Sequence, residues 1–198
     1  MKAVLMLEDG KSFVGESETL QKERVGEVIM NTAVVGYQEM ITDPANINKI
    51  LVLTYPLIGN YGCVAKFNES DKVWPAGLVI KESSRIFSNW QAKESLGAFA
   101  KRNGLFFMHS VDTRTLAVHL RQKGSMMGVI SAESFDRKEL LSKISAFDKD
   151  QSLSLIDRVS TQRVVHSGRS TGKRVAILDL GVTRSIVRQM ESLGCALR

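Results

Sequence analysis

A short apolar run surrounded by turn-forming residues dominates the stretch from residue 31 to residue 62. The run Ile50–Tyr55 (ILVLTY) is rich in β-branched and aromatic residues and is too short for most helices. Two of the three prolines of the chain lie in the same stretch. This pattern predicts a strand that is buried on both faces and ends at Pro56, preceded by a short helix between Gly36 and Pro44. On spacing alone, an ordinary helix–strand–loop connection accounts for the whole stretch.

The remaining sequence alternates between strand and helix patterns. Strands are predicted at Lys2–Leu7, 12–15, 25–31, 76–80, 105–108, 127–130 and Val175–Gly181, and helices at 94–103, 112–124, from Asp136 onward and at Val182–Ser192. The polar stretch from residue 148 to residue 174 lacks this periodicity and is interpreted as a linker. We therefore expect an α/β fold: a mixed-sheet domain with flanking helices at residues 1–150, a linker at 151–173, and the first strand–helix unit of a parallel sheet at 174–198.

The chain is basic, with a net charge of +6 over its 198 residues. A basic protein can bind nucleic acid, and such binding would depend steeply on salt. The basic residues are scattered, however, and only a loose group stands out, formed by Arg163, Arg169, Lys173 and Arg174. No nucleic-acid-binding motif accompanies them. A solvated surface, or membership in a longer and more balanced protein, therefore explains the charge better than a nucleic-acid partner does.

The cysteines and the amino terminus favour a cytoplasmic protein that does not bind a membrane. Cys63 and Cys195 lie far apart, without the spacing of a metal site or a disulfide framework, so neither is predicted to bind a metal. Both are interpreted as small buried apolar residues. The apolar runs are strand-sized, well short of the roughly 20 residues that span a bilayer. Glu8 and Asp9 come too early for a signal peptide core.

Several long segments resemble one family of proteins. GYQEMITDP at residues 36–44 and LTYPLIGNYG at 53–62 resemble segments of the small, glutamine-hydrolysing subunit of carbamoyl phosphate synthetase. The same resemblance covers LEDG at residues 7–10, GEVIMNT at 26–32 and DTRTLAVHLRQKG at 112–124. It implies the amino-terminal domain of that subunit, followed by the start of a class I glutamine amidotransferase domain near residue 174.

The resemblance implies a docking role for this chain. In the family, the amino-terminal domain contacts a large subunit that uses bicarbonate, ATP with magnesium, and ammonia to form carbamoyl phosphate for arginine and pyrimidine synthesis. No cofactor is expected on this chain, and glutamine is expected only through the amidotransferase domain. Glutamine hydrolysis there needs a cysteine on a nucleophile elbow, with a histidine and a carboxylate. Neither Cys63 nor Cys195 fits that pattern, so no catalytic residue is predicted in these 198 residues.

Two departures from the family pattern leave an alternative open. Ala45 stands where the family has a serine that contributes to the glutamine pocket, and Thr183 replaces a lysine that follows the first amidotransferase strand. If the 198 residues are the whole molecule, we expect no glutaminase activity; if they are part of a longer protein, that activity belongs to the continuation. A non-catalytic, divergent small subunit acting as an interaction module is the alternative.

Six further residues are candidates for interface or structural roles. They are Tyr37, Asp43, Asn60, Asp112, Arg114 and His119. Asp112 is expected to cap a helix, and Arg114 to form a surface or interface ion pair. His119 has no second ligand one helical turn away, so a structural histidine is expected rather than a metal ligand or a catalytic base.

Overall fold

The computed structural model describes residues 1–147, 152–169 and 171–198. Its strands are β1 (Lys2–Leu7), β2 (Ser12–Ser17), β3 (Glu23–Asn31), β4 (Lys49–Leu53), β5 (Leu57–Ile58), β6 (Gly77–Val79), β7 (Glu82–Ser83), β8 (Phe106–His109), β9 (Met126–Ser131), β10 (Ser167–Gly168), β11 (Arg174–Val175) and β12 (Ala196–Leu197). Its helices are α1 (Tyr37–Thr42), α2 (Leu96–Arg102), α3 (Thr113–Lys123), α4 (Arg137–Ala146), α5 (Ser152–Val159) and α6 (Arg184–Ser192). Among these described residues, every helix is too short or too polar to cross a bilayer.

Seven strands form a closed barrel in the order β1-β2-β8-β6-β4-β3-β9. β3, β4, β6 and β8 are parallel neighbours, whereas β2 and β9 run antiparallel to the strands beside them. The mixed α/β character follows the sequence prediction of a mixed sheet with flanking helices, but nothing in the sequence indicated that the sheet closes on itself. Closure occurs because β9 pairs with both β1 and β3.

Both faces of most barrel strands are covered, which explains their continuous apolar runs. In β1, Leu5 and Leu7 belong to the core inside the barrel, whereas Val4 and Met6 pack outside against α4. A second outer core lies beneath α1 and α2. β2 differs, because its side chains alternate between buried and exposed and its outer face is open.

Helix α3 contributes to the core inside the barrel. Leu116 and Leu120 belong to the same cluster as the inward-facing strand residues. Asp112 caps the helix as predicted, since its side chain accepts a hydrogen bond from the Thr115 amide, and Gly124 follows the last turn. The predicted helix at 112–124 is therefore confirmed within one residue at each end.

The predicted strand at Ile50–Tyr55 is too long. β4 ends at Leu53, where its register with β3 also ends at Asn31, and the Thr54 amide then bonds to the Asn31 carbonyl. Tyr55 lies in the loop beyond the sheet and is partly exposed. Loss of the neighbouring strand, rather than a change in hydrophobicity, ends β4.

The carboxyl-terminal part also differs from expectation. Of the predicted strand Val175–Gly181, only Val175 lies in a strand: it ends β11 (Arg174–Val175), which runs parallel to β12. Leu178 is 84% exposed, so this segment is not a buried strand. With three strands of two residues each, the sheet β10-β12-β11 is too small to cover such side chains. Helix α6 is confirmed, and α5 is an additional helix inside the predicted linker.

Candidate functional site

The two segments that flank β4 are joined by a pair of tyrosines. The rings of Tyr37 and Tyr61 stack with centroids 4.3 Å apart. The Tyr61 hydroxyl oxygen accepts hydrogen bonds from the amides of Gly36 and Tyr37, at 2.7 and 3.3 Å, and the Tyr37 hydroxyl donates to the Gly62 carbonyl at 2.6 Å. Gly36 has a φ of 89°, which permits the turn into α1. Burial raises the pKa of both phenols, so both remain neutral.

The rest of α1 fixes the loop at residues 64–70. The Gln38 side chain donates to the Val64 carbonyl at 2.8 Å and accepts from the Val64 amide at 2.9 Å. Thr42 Oγ1 accepts from the Glu69 amide at 2.8 Å, and Ser70 Oγ donates to the Thr42 carbonyl at 2.6 Å. The helix and this loop therefore form one hydrogen-bonded unit.

The turn that follows α1 meets the carboxyl-terminal unit. Asp43 Oδ1 accepts from the amide of Ala45 at 2.9 Å, which closes the turn around Pro44. A Cβ atom added to Gly181 would lie 3.1 Å from the Cβ of Pro44, and Gly181 has a φ of +103°. Ala45 itself is exposed. Ala45 stands at the predicted glutamine-binding position. The turn that carries it thus packs against the turn that precedes α6.

A second contact between the two parts lies at the start of α6. The Glu69 carboxylate accepts a hydrogen bond from the Ser185 amide at 2.8 Å, and the Glu69 carbonyl accepts from the Arg184 amide at 2.9 Å. Arg184 also forms an ion pair with Asp71, and Arg188 donates to the Lys66 carbonyl. We call this contact region, residues 42–45 and 66–71 against 181–188, the seam.

Helix α1 also carries a half-buried acid, Glu39. Oε2 of Glu39 is inaccessible and, among the described residues, has no hydrogen-bond partner. Burial raises the pKa of Glu39, and the nearby charge of Glu69 raises it further. A carboxyl group in this setting is destabilised in its charged form.

Asn60 contributes backbone rather than side-chain contacts in this region. Its carbonyl accepts from the amide and the hydroxyl of Ser88. The residue is exposed, beside loops that present large apolar side chains to solvent. These side chains are Val34, Val35, Tyr55, Leu57, Ile86 and Trp90, which we call the apolar loop surface.

The three remaining candidates belong to the segment of α3, away from the seam. Asp112 caps α3 and also accepts from the Thr115 hydroxyl at 2.7 Å, and Arg114 is exposed. His119 Nε2 lies 2.7 Å from Oδ2 of Asp9, so it joins α3 to the β1–β2 turn. Burial alone would raise the pKa of Asp9, but hydrogen bonds from Lys11 and His119 outweigh it and lower that pKa.

The described residues contain no group of three or more histidine, cysteine or acidic side chains arranged to hold a metal ion. Cys63 is buried beneath α1 and α2, and burial, reinforced by the charge of Glu94, raises the pKa of its thiol to about 12. Such a thiol stays protonated and is a poor nucleophile at neutral pH. Cys195 is partly buried and directly precedes β12.

Comparison with known proteins identifies a family. Residues 5–130 match the family described as carbamoyl-phosphate synthase small chain, CPSase domain. The chain belongs to this family. It is 38% identical over 194 residues to the carbamoyl phosphate synthase small chain of Chlorobaculum tepidum, covering 98% of this chain and 53% of that protein.

Other small chains give the same result. The small chain of Listeria monocytogenes is 38% identical over 196 residues, covering 98% of this chain and 53% of that protein. The small chain of Aquifex aeolicus is 38% identical over 205 residues, covering 97% and 55% respectively. The chain thus spans about half the length of the curated relatives it matches. The resemblance seen in the sequence is confirmed at the level of the family.

Sequence reasoning missed the residues that hold the seam of this small-chain family member. Glu69 and Thr42 were not singled out, because each stands in a polar or ordinary helical context with no motif around it. The sequence offered one weak signal. Helix α6 has no acidic residue in its first turn, so an acid from elsewhere, such as Glu69 in the polar loop 66–72, could take that place. Only the fold brings these two segments together.

Proposed function

We propose that this chain provides the docking part of the small subunit of a glutamine-dependent carbamoyl phosphate synthetase. Its partner would be the large subunit, which uses bicarbonate, ATP with magnesium, and ammonia to make carbamoyl phosphate for arginine and pyrimidine synthesis in the cytoplasm. Residues 1–150 would be the docking domain, residues 151–173 a linker, and residues 174–198 the first strand–helix unit of an amidotransferase domain. Family membership supports this proposal.

The observation that carries the docking role is the apolar loop surface. Val34, Val35, Ile86 and Trp90 are 55, 65, 80 and 89% exposed. Their loops are neighbours: β3 and β4 end side by side, and β5 pairs with β7 next to the loop that holds Ile86. Grouped exposed apolar side chains mark interaction surfaces, and tryptophan and tyrosine are common anchors in such surfaces.

The charges around this surface indicate the chemistry of the partner. Arg85 and Lys93 are exposed in the segment that carries Ile86 and Trp90, and the exposed pair Lys81 and Glu82 just before it adds no net charge. A matching surface on the large subunit would therefore combine an apolar centre with an acidic rim. Interfaces between subunits commonly have this arrangement of an apolar core and a polar edge.

Binding of the folded chain to its cognate large subunit tests the proposal. We expect Val35→Asp or Trp90→Ala to weaken binding by about tenfold or more, measured by biolayer interferometry or sedimentation velocity. Val14→Asp is the matched control, because Val14 is equally exposed but lies on the outer face of β2. Failure of the unaltered folded chain to bind, or equal binding by all variants, would contradict the docking role.

The glutamine side of the proposal rests on the seam. Ala45 lies in the turn that contacts Gly181, at the junction with the proposed amidotransferase unit. Backbone groups of this turn remain available to a ligand, but the methyl group of Ala45 cannot supply the hydroxyl hydrogen bond of the family serine. Glutamine would therefore be bound mainly by the amidotransferase domain.

The alternative is a non-catalytic small subunit that acts only as an interaction module. Ala45 and Thr183 favour it, since both replace polar residues that the family pattern uses. Sequencing of the gene beyond the codon for Arg198 separates the two. A downstream cysteine elbow with a later histidine–glutamate pair supports the synthetase subunit, and a reading frame without them supports the module.

A further inference from the structure

We propose that Glu69 is a positioning residue that holds the carboxyl-terminal unit against helix α1 and so keeps the turns at Pro44 and Gly181 in contact. The consequence for glutamine handling rests on the proposed function. The positioning role itself does not rest on the proposed function, because it concerns contacts within this chain.

On the side of the carboxyl-terminal unit, Glu69 acts as the cap of a helix that lacks its own. Thr183 stands at the cap position of α6, but its side chain makes no capping hydrogen bond. The Glu69 carboxylate takes that place through the Ser185 amide, and the Glu69 carbonyl binds the Arg184 amide. A negative charge at this end also favours the helix dipole. Arg188, 3.9 Å from Glu69, adds a weak ion pair.

On the side of the barrel, the same residue is fixed through its backbone. The Glu69 amide donates to Thr42 Oγ1, and the Thr42 hydroxyl donates onward to the Gln38 carbonyl at 2.8 Å. Thr42 and Glu69 are 1 and 8% exposed. Their hydrogen bonds are therefore shielded from water and are more costly to lose than surface contacts.

These two sets of bonds converge on the seam. Pro44 follows Thr42 by two residues, and Gly181 precedes Arg184 by three, so both turns are tethered on one side by a residue that Glu69 binds. Each turn therefore lies within three residues of a residue that is hydrogen-bonded to Glu69. Removal of the Glu69 carboxylate would leave the packing of Pro44 on Gly181, the backbone bond from Arg184 to Glu69, an exposed hydrogen bond from Arg188 to the Lys66 carbonyl and the exposed Arg184–Asp71 ion pair to hold the unit. Exposed ion pairs contribute little.

Hydrogen exchange of the 198-residue chain, followed by NMR or by mass spectrometry of short peptides, tests the proposal. We expect Glu69→Ala to speed amide exchange at Ser185 and along α6 by about tenfold or more, with no change in β1, β4 or β9. Glu69→Gln keeps an oxygen acceptor and should retain part of the protection. Asp71→Asn is the matched control, since Asp71 is a neighbouring exposed acid that binds a side chain rather than an amide of α6; it should leave exchange unchanged.

A double-mutant cycle adds a second readout. Thr42→Val removes the acceptor of the Glu69 amide with little change in shape, and its effect on α6 exchange should be non-additive with that of Glu69→Ala. Unchanged α6 protection in Glu69→Ala overturns the proposal. Equal loss of protection in the barrel strands also overturns it, because that result indicates a general structural role. These exchange experiments contain no large subunit. A negative result would therefore contradict the role of Glu69 without bearing on the proposed docking function.

Discussion

The hydroxyl oxygen of Tyr61 lies 2.7 Å from the backbone nitrogen of Gly36. This contact supplies a cap for α1, a helix of six residues whose cap position, Gly36, has no side chain to provide one. The amino-terminal amides of a helix need acceptors from elsewhere, and here a tyrosine from the next segment of the chain provides them. Two helices of this molecule, α1 and α6, are thus capped by side chains distant in sequence.

Replacement of Tyr61 by phenylalanine tests the value of this cap. The ring stack is retained, but the amides of Gly36 and Tyr37 lose their acceptor, so we expect the free energy of unfolding to fall by about 1–3 kcal/mol. Urea denaturation followed by circular dichroism measures the change. Tyr55→Phe is the control: Tyr55 is partly exposed in the neighbouring loop, and its replacement should change stability by about 0.5 kcal/mol or less. Equal effects of the two variants would show that the Tyr61 hydroxyl does not cap α1.

Glu39→Gln should stabilise the protein at neutral and alkaline pH. Burial raises the pKa of Glu39 above its ordinary value of 4.5, so the native state binds the proton more tightly than the unfolded state does. Its contribution to stability is therefore full below that ordinary value and is lost as pH rises through the folded-state pKa. The variant should have the higher melting temperature at about pH 8, with the gap closing in acid.

The control for this pH profile is Glu133→Gln. Glu133 forms an exposed ion pair with Lys22, so the replacement removes the same charge without relieving burial. We expect no gain in melting temperature from it at any pH. A Glu39→Gln profile parallel to that of the unaltered protein would contradict the account of a half-buried acid that is destabilised in its charged form.

The thiol of Cys63 should resist modification in the folded protein. Its pKa of about 12, caused first by burial and then by Glu94, leaves it protonated at about pH 8. In a Cys195→Ser variant, which contains Cys63 as its remaining thiol, labelling by a disulfide reagent should proceed only at the rate of opening. Full labelling in urea supplies the reference. Rapid labelling under native conditions would show that the thiol is accessible.

Leu116→Ala tests the role of α3 in the interior of the barrel. Leu116 is fully buried in the same core as the inward-facing strand residues, so its truncation should cost about 2–5 kcal/mol of unfolding free energy. Val118→Ala on the same helix is the control, because Val118 is about half exposed. Urea titration of both variants gives the comparison. Similar small losses from both would mean that α3 does not contribute to that core.

Local sequence patterns predicted the elements whose causes are local. Asp112 and Gly124 bound α3 because caps are encoded by residue type, and β1 was predicted correctly because both of its faces are covered. Closure of the barrel was not predicted, since it depends on β9 pairing with two strands more than 95 residues earlier in the chain. The end of β4 was misplaced for a similar reason, because the register with β3 sets it.

The candidate site shows the same division. The family resemblance led to Tyr37 and Asp43; the structure places Tyr37 at the start of α1, hydrogen-bonded to Gly62, and Asp43 in the turn of the seam. It also led to Asn60, which contributes its carbonyl rather than its side chain. Glu69 could not be found in this way, because its partners Thr42 and Ser185 lie 27 and 116 residues away and no short pattern relates them.

The position of β2 in the barrel has a practical consequence. Counted by the shorter way around the seven-stranded barrel, β2 stands three strands from both β3 and β4, so it lies opposite them. Its outward residues Ser12, Val14 and Glu16 therefore point away from the wall that carries the loops after β3 and β4. A fluorophore or a sensor tether attached there would leave that wall facing the solution, which fixes the orientation of the molecule for measurements on a surface.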